Sequence, residues 1–272
     1  MLKSTAITFI AVLVAAFVSI FSGPLAAEST QSTAGNAIAE TAKARPGTPN
    51  NSQAASNTPV TTPEHSTENL EEIQAHVKKH IGEIDTVFHE LVSDFIHLDV
   101  LFIKATAERP YHVLVTSGVS DEPMKVPEDM ADQDRVELLL ALPKEWPLTD
   151  ESFSSENNYW PVRWLKQVGR LPHTYDTWLG WGHTIPNGDP AEPIANTKFV
   201  GVMLSPAYAL APEFFQLKTK KGKNIRFYAL IPLYQEEMDF KLQNGADALE
   251  AKLNKKKVGF LVNPNRPNVV KK

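Results

Sequence analysis

No cysteine occurs anywhere in the 272 residues. Disulfides are therefore excluded, as is attachment to a membrane through a lipidated cysteine, and the chain must rest on a hydrophobic core of ordinary size. Positive charge is also scarce: 27 lysines and arginines stand against 32 aspartates and glutamates, a net charge of −5. Non-specific binding to nucleic acid needs clustered basic side chains facing phosphates, and this balance argues against it. A mildly acidic surface does suit a basic protein partner, which it would attract over a distance. Internal repeats are missing too, so one folded unit is the economical division. The long apolar run of the chain, Ala6 to Phe21, is confined to the N-terminus.

That run follows Lys3 and is closed by the small-residue stretch SGPLAAE, the three-part layout of a secretory signal. It is shorter than the ~20 residues that comfortably span a bilayer. Residues 1–27 are thus expected to form a signal peptide cut after Ala26 or Ala27, with an N-terminal anchor over residues 6–21 as the alternative, because Pro24 or Leu25 stands where a small residue is usual. Either way the body is exported, to the periplasm or the exterior, and it meets a membrane only if the segment stays uncleaved. Residues 28–67 are rich in Ala, Ser, Thr, Asn, Gln and Pro and cannot bury enough apolar surface to offset their ordering entropy. They read as a disordered linker. A folded domain is expected over 68–265, followed by a flexible tail at 266–272.

Within the domain, Leu70, Ile73, Val77 and Ile81 recur at helical spacing and Gly82 is placed to end the helix. Strands are expected within Asp85–Ile103, Tyr111–Val119, Val136–Leu142 and Phe199–Pro206, and a hairpin through Lys221-Gly222-Lys223 joins EFFQLKT to IRFYALIPLY. A helix is expected to begin at Pro161 and carry Trp160, Trp164 and Val168 as an apolar stripe. Another runs from Gln235 to Asn244, with a break at Gly245 and a short helix after it. The order favours an α+β domain, a mixed and largely antiparallel sheet covered by helices.

Chemistry is harder to find. His76 and His80 have the separation of two metal ligands on one helical face but lack a third ligand. His97 and Asp99 could form a hydrogen-bonded acid–base pair, but a solvated or ion-paired strand face is the commoner explanation. Ser117 and Ser120 in TSGVS lack the GxSxG pattern of a strained nucleophile elbow. The densest polar and aromatic segment, HTYDTWLGWGHTIPNGDP, holds His173, Tyr175, Asp176, Trp178, Trp181, His183 and Asp189. His173, Asp176, His183 and Asp189 define an alternative reading as a metal-dependent envelope hydrolase. Trp160, Trp178 and Trp181 define another, as a glycan-binding module whose ring faces must be exposed.

Three segments carry a resemblance: HVLVTSGVSDEP (His112 to Pro123), ELLLALPKEWPL (Glu137 to Leu148) and PLYQEEMDF (Pro232 to Phe240). They are similar to the suppressor-of-fused (SUFU) family, most closely its compact bacterial type. The resemblance implies a domain that binds proteins without catalysis, metal or cofactor. In animals such members look like regulators that sequester a transcription factor; the bacterial members resemble immunity proteins that neutralise toxins. Export removes the first role, which leaves a protein partner, plausibly a toxin. The contact surface is then expected among Tyr159, Trp160, His173, Asp176, Trp178, Trp181, His183, Glu236 and Glu237, with no catalytic and no metal residues.

Overall fold

The structure is a computed structural model that describes residues 67–90 and 96–271. The expected signal segment and linker, apart from the linker's last residue, Thr67, lie outside the described residues. Helix α1 (Thr67–His80) opens the domain and is followed by strands β1 (Thr86–Phe88), β2 (Asp99–Ile103), β3 (Tyr111–Ser117) and β4 (Val136–Pro143). Helix α2 (Glu156–Tyr175) leads to β5 (Thr184–Pro186), β6 (Gly201–Ser205), β7 (Gln216–Lys218) and β8 (Asn224–Leu233), and α3 (Gln235–Asn244) and α4 (Ala246–Lys255) complete the set. The sheet runs β1-β2-β3-β4-β8-β6-β5, with β7 also on β8. All pairings are antiparallel except β4 with β8, which is parallel. The expected α+β class with a mixed, mostly antiparallel sheet is what the chain adopts.

Both faces of this sheet are covered, which explains why VLFI and VELLLALP read as continuous apolar runs without clean alternation. On one face Phe102, Leu114, Leu138, Leu140, Leu204 and Leu230 pack against Trp160, Trp164, Leu165 and Val168 of α2. On the other, Leu101, Val115, Leu139, Phe227, Ala229 and Ile231 meet Ile73 and Val77 of α1, Met238 of α3, and Leu249 and Leu253 of α4. Strand β8 is the spine. Its first half is held by β4 on one side and β7 on the other, and its second half by β6.

Two local expectations are corrected. Helix α2 starts five residues before Pro161, so that proline lies inside the helix instead of at its first position. The closing residues do not fray. Val262 donates its amide to the Ala141 carbonyl at 2.8 Å, Leu261 forms a parallel bridge to Ala141, and Arg266 and Val269 are buried. What the composition shows as a polar, proline-broken tail is a strap laid across the domain, held by an ionic contact that local sequence rules do not register.

Candidate protein-binding face

The segments that carry the resemblance build two buried carboxylate sites. Glu137 of β4 is wholly buried. Its Oε1 accepts the amides of Gly118 and Ser120 at 3.1 and 3.0 Å and the Ser120 hydroxyl at 2.7 Å; its Oε2 accepts the Thr116 hydroxyl at 2.5 Å. Gly118 has φ +117°, a conformation that glycine reaches without strain, and this turns the TSGVS loop so that both amides face one oxygen. Arg135 donates to the carbonyls of Ser120 and Asp121 and closes the loop from outside. Burial pushes the Glu137 carboxyl up to about 7, against the opposing effect of these hydrogen bonds. Ser120 is itself fully buried and spends both its amide and its hydroxyl on this carboxylate.

Glu237 is also wholly buried, and it has a cation. Arg266 donates to both of its oxygens, at 2.7 and 2.5 Å, in a two-pronged pair. The Val269 and Tyr234 amides complete the carboxylate at 2.8 and 3.1 Å. The guanidinium lies over the rings of Tyr234 and Phe199, 4.8 and 5.1 Å from their centroids, and donates to the Pro232 carbonyl at 2.7 Å. Glu237 therefore leaves the candidate contact set: it anchors the strap to α3 and cannot touch a partner. Its neighbour Glu236 stays nearer the surface, paired with Lys271 at 2.6 Å and Asn268 at 2.8 Å.

The aromatic candidates divide by burial. Trp160 is fully enclosed against Trp146, and Tyr159 is half-buried beside Phe153, so the first leaves the contact set. Trp178 lies half-buried on the core with its ring 4.3 Å from that of His183. A sugar-stacking row of Trp160, Trp178 and Trp181 thus has one ring enclosed and a second packed on the core. His183 is pushed down to about 4 by burial and by the nearby Lys241 ammonium, so it is neutral near pH 7. His173 reaches the Val119 carbonyl at 3.4 Å, and Asp176 sits exposed at the end of α2 in an ion pair with Lys125. Burial lowers the His173 pKa as well. His173, Asp176, His183 and Asp189 form no group able to share a metal ion among the described residues. Proximity in sequence misleads here, because α2 ends at Tyr175 and the chain then leaves it to reach β5.

What remains at the surface is a smaller constellation. Trp181 is 41% exposed and Tyr208 57% exposed. Both point a polar atom at Glu250 of α4: Trp181 Nε1 lies 3.5 Å from Oε1 and Tyr208 Oη 3.5 Å from Oε2. Ser205, at the end of β6, donates to Oε1 at 2.7 Å and fixes the carboxylate. Gly182 lets this loop press on α4, since a Cβ there would stand 2.6 Å from the Ala246 Cβ, and its φ of +77° suits glycine. Two aromatic rings with polar tips, set around an oriented carboxylate, have the composition of an interface anchor. Tyr208, Ser205 and Glu250 carry no signal in the sequence because Glu250 lies 42 and 45 residues beyond the other two; only Trp181 stands out there.

The family model for Suppressor of fused protein (SUFU) matches residues 94–267, which take in Glu137, Trp181, Tyr208, Glu250, Glu237 and Arg266. Uncharacterized protein UU111 of Ureaplasma parvum serovar 3 is 24% identical over 210 residues, covering 76% of this chain and 98% of its own length. Among solved structures, a SUFU homolog from Neisseria gonorrhoeae FA 1090 superposes with a TM-score of 0.51 at 19% identity, over 76% of this chain and 98% of that one. The structure of a Sufu-Fu complex matches with a TM-score of 0.52 at 14% identity, over 74% and 92% of the two chains. Drosophila Suppressor of Fused matches with a TM-score of 0.53 at 13% identity, over 74% of this chain and 51% of that one. At these identities the structural matches speak for the fold alone. The family match, which takes in more than half of the chain, places it in the suppressor of fused protein family.

Proposed function

We propose that this protein is a non-enzymatic binding protein whose partner is another protein, engaged through the face around Trp181, Tyr208 and Glu250. The observation that carries the reading is the pairing of two exposed aromatic rings with one fixed carboxylate. Family membership supports it, since the similar Sufu structure is a complex with Fu. The finer reading is an exported immunity-type protein that neutralises a toxin by direct contact. Its supports are Lys3 with the apolar run after it, the net charge of −5, which suits a basic partner, and kinship with compact bacterial chains.

The test compares the wild-type chain with the Trp181→Ala/Tyr208→Ala double variant as baits in native low-salt extract of the producing cell. A protein recovered by the first and lost by the second is the expected result, corresponding to at least ~2 kcal/mol for an anchor of this kind. Recovery of the same partner by both would move the contact elsewhere. Recovery of none, or turnover of a small compound by the pure folded chain, would end the reading. N-terminal sequencing of exported material tests the signal, with Glu28 or Ala27 expected first.

A further inference from the structure

Among the described residues the groups able to hold a metal ion lie far in sequence from the segment first suspected. His89 follows β1, and His97 and Asp99 stand at the entry to β2. His89 Nδ1 is 2.9 Å from Asp99 Oδ2, and His97 Nε2 is 3.0 Å from Asp99 Oδ1. One ligand atom from each of the three residues can be chosen so that all lie within 4.8 Å of one another. The carboxylate is held from behind: the Glu90 amide donates to Oδ1 at 3.1 Å, and only 2% of the Asp99 side chain is exposed. Exposure rises to 21% at His97 and 65% at His89, so the three residues run from the interior to the surface.

We propose that His89, His97 and Asp99 bind one divalent transition-metal ion of the zinc class. Two imidazole nitrogens and one carboxylate are donors that zinc prefers, whereas calcium and magnesium require nearly all-oxygen surroundings. Metal bonds of ~2.1 Å in a tetrahedron set ligand atoms ~3.4 Å apart, a spacing that small side-chain rotations reach from the separations seen here. A buried aspartate fixed by a backbone amide supplies the pre-oriented anchor that such sites need. Ser117 adds a second, independent observation. It is opposed to Asp99 in the β2–β3 register, so the two side chains leave the same face of the sheet. Its hydroxyl is buried without a hydrogen-bond partner, a donor free to hold the carboxylate once the imidazoles turn to the metal. Three protein ligands leave a fourth position, with His89 on the solvent side, for water or an outside donor. The ion would join the end of β1 to the start of β2.

The experiment uses the full chain, titrated with zinc chloride by calorimetry and checked by elemental analysis, with cobalt(II) absorption as an optical readout of coordination. One zinc per chain and cobalt bands of a four-coordinate N/O site are expected. His89→Ala and His97→Ala should each weaken binding by ~10- to 100-fold, and zinc should raise the melting temperature of the wild type but not of these variants. His80→Ala is the control, because the His76 and His80 rings lie 4.6 Å apart and offer another place for a loosely bound ion; it should change nothing. His89 is exposed, so its removal leaves the fold intact and keeps the test decisive. No saturable binding to the folded wild type, or equal binding by the His89→Ala and His97→Ala variants, overturns the site.

Discussion

Glu137 and Glu237 are both wholly buried, both lie within the residues that match the family, and they are satisfied in opposite ways. Glu237 meets a guanidinium on both oxygens. Glu137 meets only hydroxyls and amides, and without a cation burial favours its protonated form near neutrality. One site is an ionic lock between distant parts of the chain; the other is a pH-responsive clasp on a loop. The comparison teaches that a buried carboxylate does not by itself mark catalysis. Its partners decide whether it fastens, titrates or reacts.

The largest effect should come from breaking the lock. Arg266→Ala strands a buried carboxylate and frees the strap that carries Val269 over the core, and a loss of about 3–5 kcal/mol of stability is expected, read by denaturant unfolding. Glu237→Gln/Arg266→Met, which removes both charges, should lose clearly less. Equal losses from the two variants would mean that packing of the strap, not the charge pair, holds it.

The clasp predicts a difference in pH dependence. The folded state keeps the Glu137 proton up to about pH 7, whereas an unfolded carboxyl releases it near 4.5. As pH rises from 4.5 to 7 the unfolded chain loses a proton that the folded chain retains, so stability falls, by up to ~3 kcal/mol. His183 runs the other way in an overlapping window. Its folded value near 4 lies below the ordinary 6.5, so the unfolded chain gains a proton first as pH falls, and stability drops between 6.5 and 4. Glu137→Gln should therefore show a steeper acid loss than the wild type, and His183→Gln a shallower one. Melting curves at half-unit pH steps from 4 to 8 check both. Parallel curves for all three proteins would deny that either group titrates differently on folding.

The contrast also locates what is legible in the sequence. Strand β4, the β7–β8 hairpin and the break at Gly245 are readable because apolar runs, turn residues and a helix-ending glycine act locally. The fate of Arg266 is not, because a lone arginine in NPNRPN looks solvated until Glu237, 29 residues earlier, is seen to face it. The site suffers in the same way. Trp181 stands out as an aromatic in a glycine-rich turn, but Glu250 and Tyr208 are ordinary residues that gain meaning only through the packing of α4 on the loop. His97 and Asp99 are visible as a pair, while His89 lies beyond the reach of a strand-spacing argument, since seven residues of chain separate it from His97.

The smallest effect should lie at Asp176, where a charge pair and a backbone conformation can be separated. Its carboxylate meets Lys125 at the surface, with 74% and 68% of the two side chains exposed. Screening by water leaves such a contact ~0–1 kcal/mol at most. The backbone at Asp176 has φ +55° and ends α2 in the left-handed region, which costs less for asparagine or glycine than for other residues. Asp176→Asn removes the charge and keeps the tolerated conformation, so its melting temperature should stay close to that of the wild type and be insensitive to salt. Asp176→Ala loses both features and should be the less stable of the two. If asparagine proves as harmful as alanine, the ion pair outweighs the helix end, and the surface here contributes more than its exposure allows.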